Sequence, residues 1–316
     1  MKKYLLNTAI FFMSFLALVI TLAIVSSNVV HRRGFNNWEV EGNLLMMKTD
    51  HAYDLLIMGI SHARNFSRHK NHIRLEKILE NEIINIGIGE GKCGANDQHF
   101  FLNYFYNKGN HAKKVLYIIS PTLLNKGFIN KASGTFALEP FKIDFFLQYL
   151  KYKADNKYER IFYYVKSKFS PNWLTLKPRS GKSQDFALEA IDSSQIREGL
   201  KLLLVEGERM DEFQRNCIKV EETIKLALSR KSEIIFFIPP ALFGKWEGHY
   251  ETMDFLEKMN EKYGVKYYDF SESVLIPKYY YDHHHLNSEG VDYFAENYLK
   301  EILKSDSAKT IGWLPQ

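Results

Sequence analysis

Short apolar runs alternate with helix-length segments through most of the chain, and no other feature narrows the possible folds as far. Residues 53–58 (Tyr-Asp-Leu-Leu-Ile-Met) end at Gly59 and read as a buried strand followed by a turn. Ile83 to Ile86 is a second such run, broken by Gly87, Gly89 and Gly91, and Val115 to Ile119 is a third, stopped by Ser120-Pro121. Glu233 to Ile238 ends at Pro239-Pro240, and Val265 to Tyr268 is a shorter fifth run. Between them the spacing predicts helices over 71–80, 97–107, 196–229, 250–263 and 288–303, the first with Ile73, Leu75, Ile78 and Leu79 on one side. Strands that alternate with helices predict an α/β domain with a parallel sheet covered on both faces. Its ligand site is expected at the carboxyl ends of the strands.

Two segments stand outside this rhythm. Residues 127–192 are rich in aromatics and lysine, and read as a helical insertion after the third strand that caps part of the sheet's carboxyl edge; 177–184 is its most loop-like stretch. At the N-terminus, Met1-Lys2-Lys3 precedes a run from Tyr4 to Val30 without a charged residue. A helix of about 20 residues spans a bilayer core, and the apolar stretch of a cleaved signal peptide is only about 7–15 residues. A signal anchor is therefore expected, one continuous helix from Leu5 to about Val30 standing apart from the globular domain, although Val25-Ser26-Ser27 has the small residues of a cleavage site. The expected organisation is 1–33 for the cytoplasmic start and membrane helix, 34–52 for a juxtamembrane linker, 53–305 for the α/β domain and 306–316 for a tail. Lys2 and Lys3 face His31-Arg32-Arg33 across the span, so positive charge does not fix its orientation. The net charge of +5 is scattered and argues against a nucleic-acid partner, though it suits an anionic envelope polymer or membrane surface. Cys93 and Cys217 cannot make a disulfide framework; one bridge or two buried thiols are the options.

Three places could carry chemistry. Ser61, in Gly59-Ile60-Ser61-His62 directly after the first strand, would sit at the rim of the sheet as a nucleophile, or else simply cap the next helix. The loop Asn85-Ile86-Gly87-Ile88-Gly89-Glu90-Gly91 lets backbone N–H groups approach a ligand, which suits an oxyanion hole, a phosphate cradle or only a turn. It lacks the spacing of the dinucleotide-binding fingerprint. Tyr281-Asp282-His283-His284-His285 precedes the last helix, and Asp three residues before His can fix the imidazole tautomer for proton transfer from a serine. The three adjacent histidines also raise a metal reading or a solvent-exposed structural loop. No cluster of further ligands at metal spacing accompanies them.

Together these features resemble the SGNH/GDSL hydrolase superfamily, in order and spacing from about Tyr53 to Leu303. The resemblance implies a three-layer α/β/α, flavodoxin-like fold. It implies Ser61 as nucleophile, Asp282 and His285 as its triad partners, and the N–H groups of Ser61 and of Gly89 or Gly91 as oxyanion donors. Leu286-Asn287 and Gly290 continue the closing motif. The chain departs from the family in having Gly59-Ile60-Ser61 where Gly-Asp-Ser is common. It also lacks a matching Asn-Asp pair after the third strand, so that either Thr122, Asn125 or Asn96 would substitute or the oxyanion hole would rely on backbone groups.

Membrane-anchored envelope proteins of exopolysaccharide O-acetylation and teichoic acid D-alanylation resemble this chain in architecture. That likeness implies an extracytoplasmic, single-pass esterase or O-acyltransferase acting on an acylated cell-envelope polysaccharide, with no metal or organic cofactor. It also implies a membrane-bound O-acyltransferase as partner. The rival expectation is a non-catalytic SGNH-like accessory protein that binds a glycan or supports such an acyltransferase, and a weaker one is a metal site at His283, His284 and His285.

Overall fold

The computed structural model describes residues 1–32, 47–89, 93–125, 134–137, 139–170, 186–203 and 209–304, and the chain divides into two compact units. Its strands are β1 (Ala52–Gly59), β2 (Ile83–Asn85), β3 (His111–Ile118), β4 (Glu233–Ile238) and β5 (Lys266–Asp269). Helices in the first half are α1 (Lys2–Arg32), α2 (Ser61–Asn65), α3 (Asn71–Leu79), α4 (Ala95–Asn107), α5 (Pro121–Asn125), α6 (Ile143–Lys151) and α7 (Lys157–Ser167). Those in the second half are α8 (Ser193–Leu203), α9 (Arg209–Ser229), α10 (His249–Tyr263), α11 (Ser288–Phe294) and α12 (Lys300–Lys304).

The larger unit, Glu39–Ala132 with Arg179–Gln316, is a three-layer α/β/α domain. Among the described residues its sheet has five parallel strands in the order β2-β1-β3-β4-β5. Alternate residues of each strand feed opposite layers. Leu55, Ile57, Leu116, Ile118, Ile235 and Phe237 join a core with Leu75 and Leu79 of α3, Phe294 of α11 and Phe270. On the other face Tyr117 packs against Phe236, with ring centroids 5.5 Å apart, and α4 meets α9 through His99 and Thr223. The order reverses between β1 and β3, and a crevice opens at the carboxyl ends of strands beside such a switch point.

Local differences from the expected elements have simple causes. Ile73 is 44% exposed, because it lies two positions, about 200°, round the helix from buried Leu75. The segment expected as one helix over 196–229 is two, α8 and α9, with 204–208 outside the described residues. β3 begins at His111, ahead of its apolar run, because its first residues pair with 52–55 at the solvent end of the sheet. Cys93 and Cys217 are free thiols, the first buried and the second partly so.

The smaller unit, Met1–Trp38 with Ser133–Pro178, contains α1, α6 and α7. α1 is 31 residues, about 46 Å at 1.5 Å per residue, and is apolar enough to cross a membrane from Lys2 to Val29. Phe11, Phe12, Phe15 and Leu16 are exposed, which suits lipid on all sides. Its last turns, expected to stand apart, do not. Ala23 and Ser27 are buried, Ser27 Oγ accepts from the Phe141 N–H at 2.7 Å, and Ser26 Oγ donates to the Lys168 carbonyl at 2.8 Å. Phe145 and Tyr149 of α6 and Tyr164 of α7 pack with Phe136, all buried.

Candidate active site

The turn after β1 places Ser61 at the rim. Gly59 has φ 144, and a Cβ there would stand 2.6 Å from the Ile118 carbonyl oxygen, so only glycine lets β1 run this close beside β3 before turning. Ile60 is the N-cap residue of α2 and Ser61 its first residue, so the hydroxyl is not used as a cap. It meets His285 instead, with Ser61 Oγ 2.8 Å from Nε2.

The loop that carries His285 is held from several sides. Tyr280 and Leu286 form an antiparallel bridge, the Tyr281 N–H donates to the His285 carbonyl at 3.2 Å, and Asn287 caps α11 by accepting from the Gly290 N–H. Asp282 organises the centre of the loop. Its Oδ1 accepts from the backbone N–H groups of His284 (2.9 Å) and His285 (2.8 Å), while Oδ2 lies 2.8 Å from His285 Nδ1. Asp282, His285 and Ser61 thus form one continuous hydrogen-bonded chain.

The electrostatics separate the roles of the histidines. Burial opposes ionisation of Asp282, but the charge and hydrogen bond of His285, with His284 behind them, outweigh it and hold the carboxyl below the usual range. His284 is pushed down to about 3, by burial first and then by His285. Burial, followed by the charges of His285 and His284, likewise holds His62 well below the ordinary imidazole value. At neutral pH both neighbours are therefore uncharged, and His285 is the ring that lies against the Asp282 carboxylate.

Around His285 stand three further rings, to which the motifs of the sequence assign no role. His62 lies 4.8 Å away, Tyr281 is parallel to the imidazole at 5.4 Å, and buried Trp246 packs edge-on against His62 and His284. The Tyr281 hydroxyl accepts from Arg68 at 3.0 Å, and burial, then the Asp282 charge, pushes it up to about 12. His62 and Tyr281 each adjoin a triad candidate in sequence, which was the available signal. Nothing local marked Trp246.

Gly89 comes against the serine: a Cβ there would sit 3.1 Å from Ser61 Cα and 3.1 Å from Cδ of buried Arg64. Gly91 lies outside the described residues. Thr122 lies on α5 after β3 and, among the described residues, makes no hydrogen bond to Ser61 or His285. Asn125 Nδ2 donates to the Pro121 carbonyl within α5, and Asn96 is in the first turn of α4. The three histidines do not converge. His283 Nε2 accepts from the Asp192 N–H at 3.3 Å, while Asp282, His284 and His285 bring one ligand atom each within 4.8 Å of one another. An ion held by those three would compete with the contacts that His285 makes to Asp282 and Ser61.

No protein-family model and no curated protein matches the chain. Among solved structures it is similar to the crystal structure of a proposed acylhydrolase from Bacteroides fragilis, at 15% identity over 79% of this chain and 86% of that one, with a TM-score of 0.37.

Proposed function

We propose that this chain is a membrane-anchored serine esterase or O-acyltransferase of the SGNH type, with its α/β domain outside the cytoplasm. It would act on acyl esters of a cell-envelope glycan, beside a membrane-bound O-acyltransferase. The observation that carries the reading is the Asp282–His285–Ser61 chain, assembled from positions 224 apart in sequence at the carboxyl edge of a parallel sheet. The architecture, an apolar N-terminal helix followed by such a domain, supports the envelope assignment.

His285 Nε2 takes the proton from Ser61 Oγ as the oxygen bonds to the ester carbonyl carbon. The negative charge moves to the carbonyl oxygen, where the N–H groups of Ser61 and Gly89 stabilise it; Ser61, as first residue of α2, has no intrahelical partner for its N–H. Collapse breaks the bond to the leaving oxygen, which receives the proton from His285. The acyl-Ser61 ester is then resolved by water or a glycan hydroxyl, again deprotonated by His285. Asp282 holds Nδ1–H throughout and stabilises the imidazolium.

The test is labelling of the full-length protein in lipid nanodiscs by a fluorophosphonate, read as a mass increase. Wild type is expected to take up one adduct on Ser61, with or without a chelator, and Ser61→Ala none. An accessory protein would leave wild type unlabelled, and a metal-dependent enzyme would lose activity to the chelator. Glycan acylation restored to wild-type level by Ser61→Ala in the native host would refute the enzyme reading.

A further inference from the structure

Helix α6 buries one apolar face and exposes another, while α7 buries Arg160 and Tyr164 and turns aromatic rings outward. In α6, Phe145 and Tyr149 are buried against Phe136, with centroids at 4.9 and 4.8 Å. Ile143, Leu147 and Leu150 are 46%, 47% and 39% exposed, and at about 100° per residue they cluster within about 60° on the opposite side. A helix resting on a core in water turns polar residues outward. Here the polar residues Asp144, Gln148 and Lys151 occupy only one edge. In α7, Tyr158 and Phe162 are 75% and 60% exposed, and Tyr163 is exposed beside them. Lysine ammonium groups sit over these rings: Lys157 lies 5.3 Å from Tyr158, and Lys166 lies 5.6 Å from Phe162 and 5.8 Å from Tyr163. Exposed apolar side chains edged by aromatics and lysines are the composition of a membrane–water interface.

The place of these helices identifies the partner. They belong to the same compact unit as α1, and that unit is fastened to the last turns of α1 by the Ser26–Lys168 and Ser27–Phe141 hydrogen bonds. If α1 crosses the bilayer, those turns lie where the span leaves the hydrocarbon. A body fastened there stands at headgroup depth.

We infer that the exposed apolar faces of α6 and α7 bed into the bilayer surface beside α1, forming an interfacial platform whose ligand is the headgroup–acyl boundary of the membrane. This rests on reading α1 as a membrane span. Lys157 and Lys166 reach outward to lipid phosphates while their stems cover the rings. Asp155 and Glu159 are exposed among these lysines, so apolar insertion outweighs net charge in this contact.

The full chain is reconstituted in vesicles of phosphatidylethanolamine and phosphatidylglycerol, with p-benzoylphenylalanine replacing Leu147, Phe162 or, as the anchor control, Leu16. All three positions are exposed, so the probe does not enter the core. After irradiation, lipid adducts are expected at all three, those at 147 and 162 reporting a depth of about 5–10 Å. Adducts at 16 but none at 147 and 162 would overturn the platform and leave the anchor standing, as would cross-links from those positions to a second protein copy. No lipid adduct at 16 would remove the anchor, and the platform with it.

Discussion

Replacing Asp282 by asparagine separates the two tasks of this side chain. Oδ1 accepts two backbone N–H groups that shape the loop, and Oδ2 receives the Nδ1 side of His285. An asparagine can keep its carbonyl on the two backbone donors, but its NH₂ then faces Nδ1. That fixes the imidazole with its proton on Nε2, directed at Ser61, where it cannot act as base. The flipped amide restores the Nδ1–H contact but turns NH₂ against two backbone N–H groups and leaves both unpaired, at a cost of about 1–3 kcal/mol each. The productive arrangement is therefore disfavoured by about 2–6 kcal/mol, and the imidazolium also loses its counter-charge. Together these predict about 10³–10⁴-fold slower acylation in Asp282→Asn. The assay is the second-order rate of fluorophosphonate labelling, followed by intact mass beside a melting curve. The depressed carboxyl pKa adds a check: Asp282 stabilises the fold above its unfolded value of about 3.9, and that contribution fades as pH falls through its folded value. The melting temperatures of wild type and Asp282→Asn should therefore converge in acid. Labelling of Asp282→Asn within tenfold of wild type would refute the orienting role.

Two further substitutions test the proposed oxyanion role of the Gly89 loop and the packing of the core. Gly89→Ala puts a Cβ 3.1 Å from Ser61 Cα, where carbon contacts are ordinarily about 3.5–4.0 Å. The loop or the serine must shift, and labelling should fall about 10–10³-fold with little change in melting temperature; an unchanged rate would remove Gly89 from the site. Phe270→Ala empties a fully buried position ringed by Phe237, Phe294 and Tyr298, and should cost about 3–5 kcal/mol in denaturant unfolding while the folded fraction labels at the wild-type rate.

The elements were legible because their signals are local. A run such as Leu55-Leu56-Ile57-Met58 that ends at a glycine reports a strand buried on both faces, wherever it pairs. The uncharged stretch of α1 likewise announces its length and lipid-like character without any neighbour. Ser61, Asp282 and His285 stood out for the same reason: each lies at a sequence-readable boundary between an element and a loop. The sequence carried no local trace of the β2-β1-β3-β4-β5 order, of Trp246 against His62 and His284, or of the last turns of α1 fastened to the unit of α6 and α7. These depend on pairing and packing between segments far apart in the chain, which hydrophobic periodicity does not encode. Only the tertiary fold brings Ser61, on the turn after β1, within 2.8 Å of His285, in the loop between β5 and α11, because a parallel sheet puts the carboxyl ends of all its strands, and the segments that leave them, along one edge.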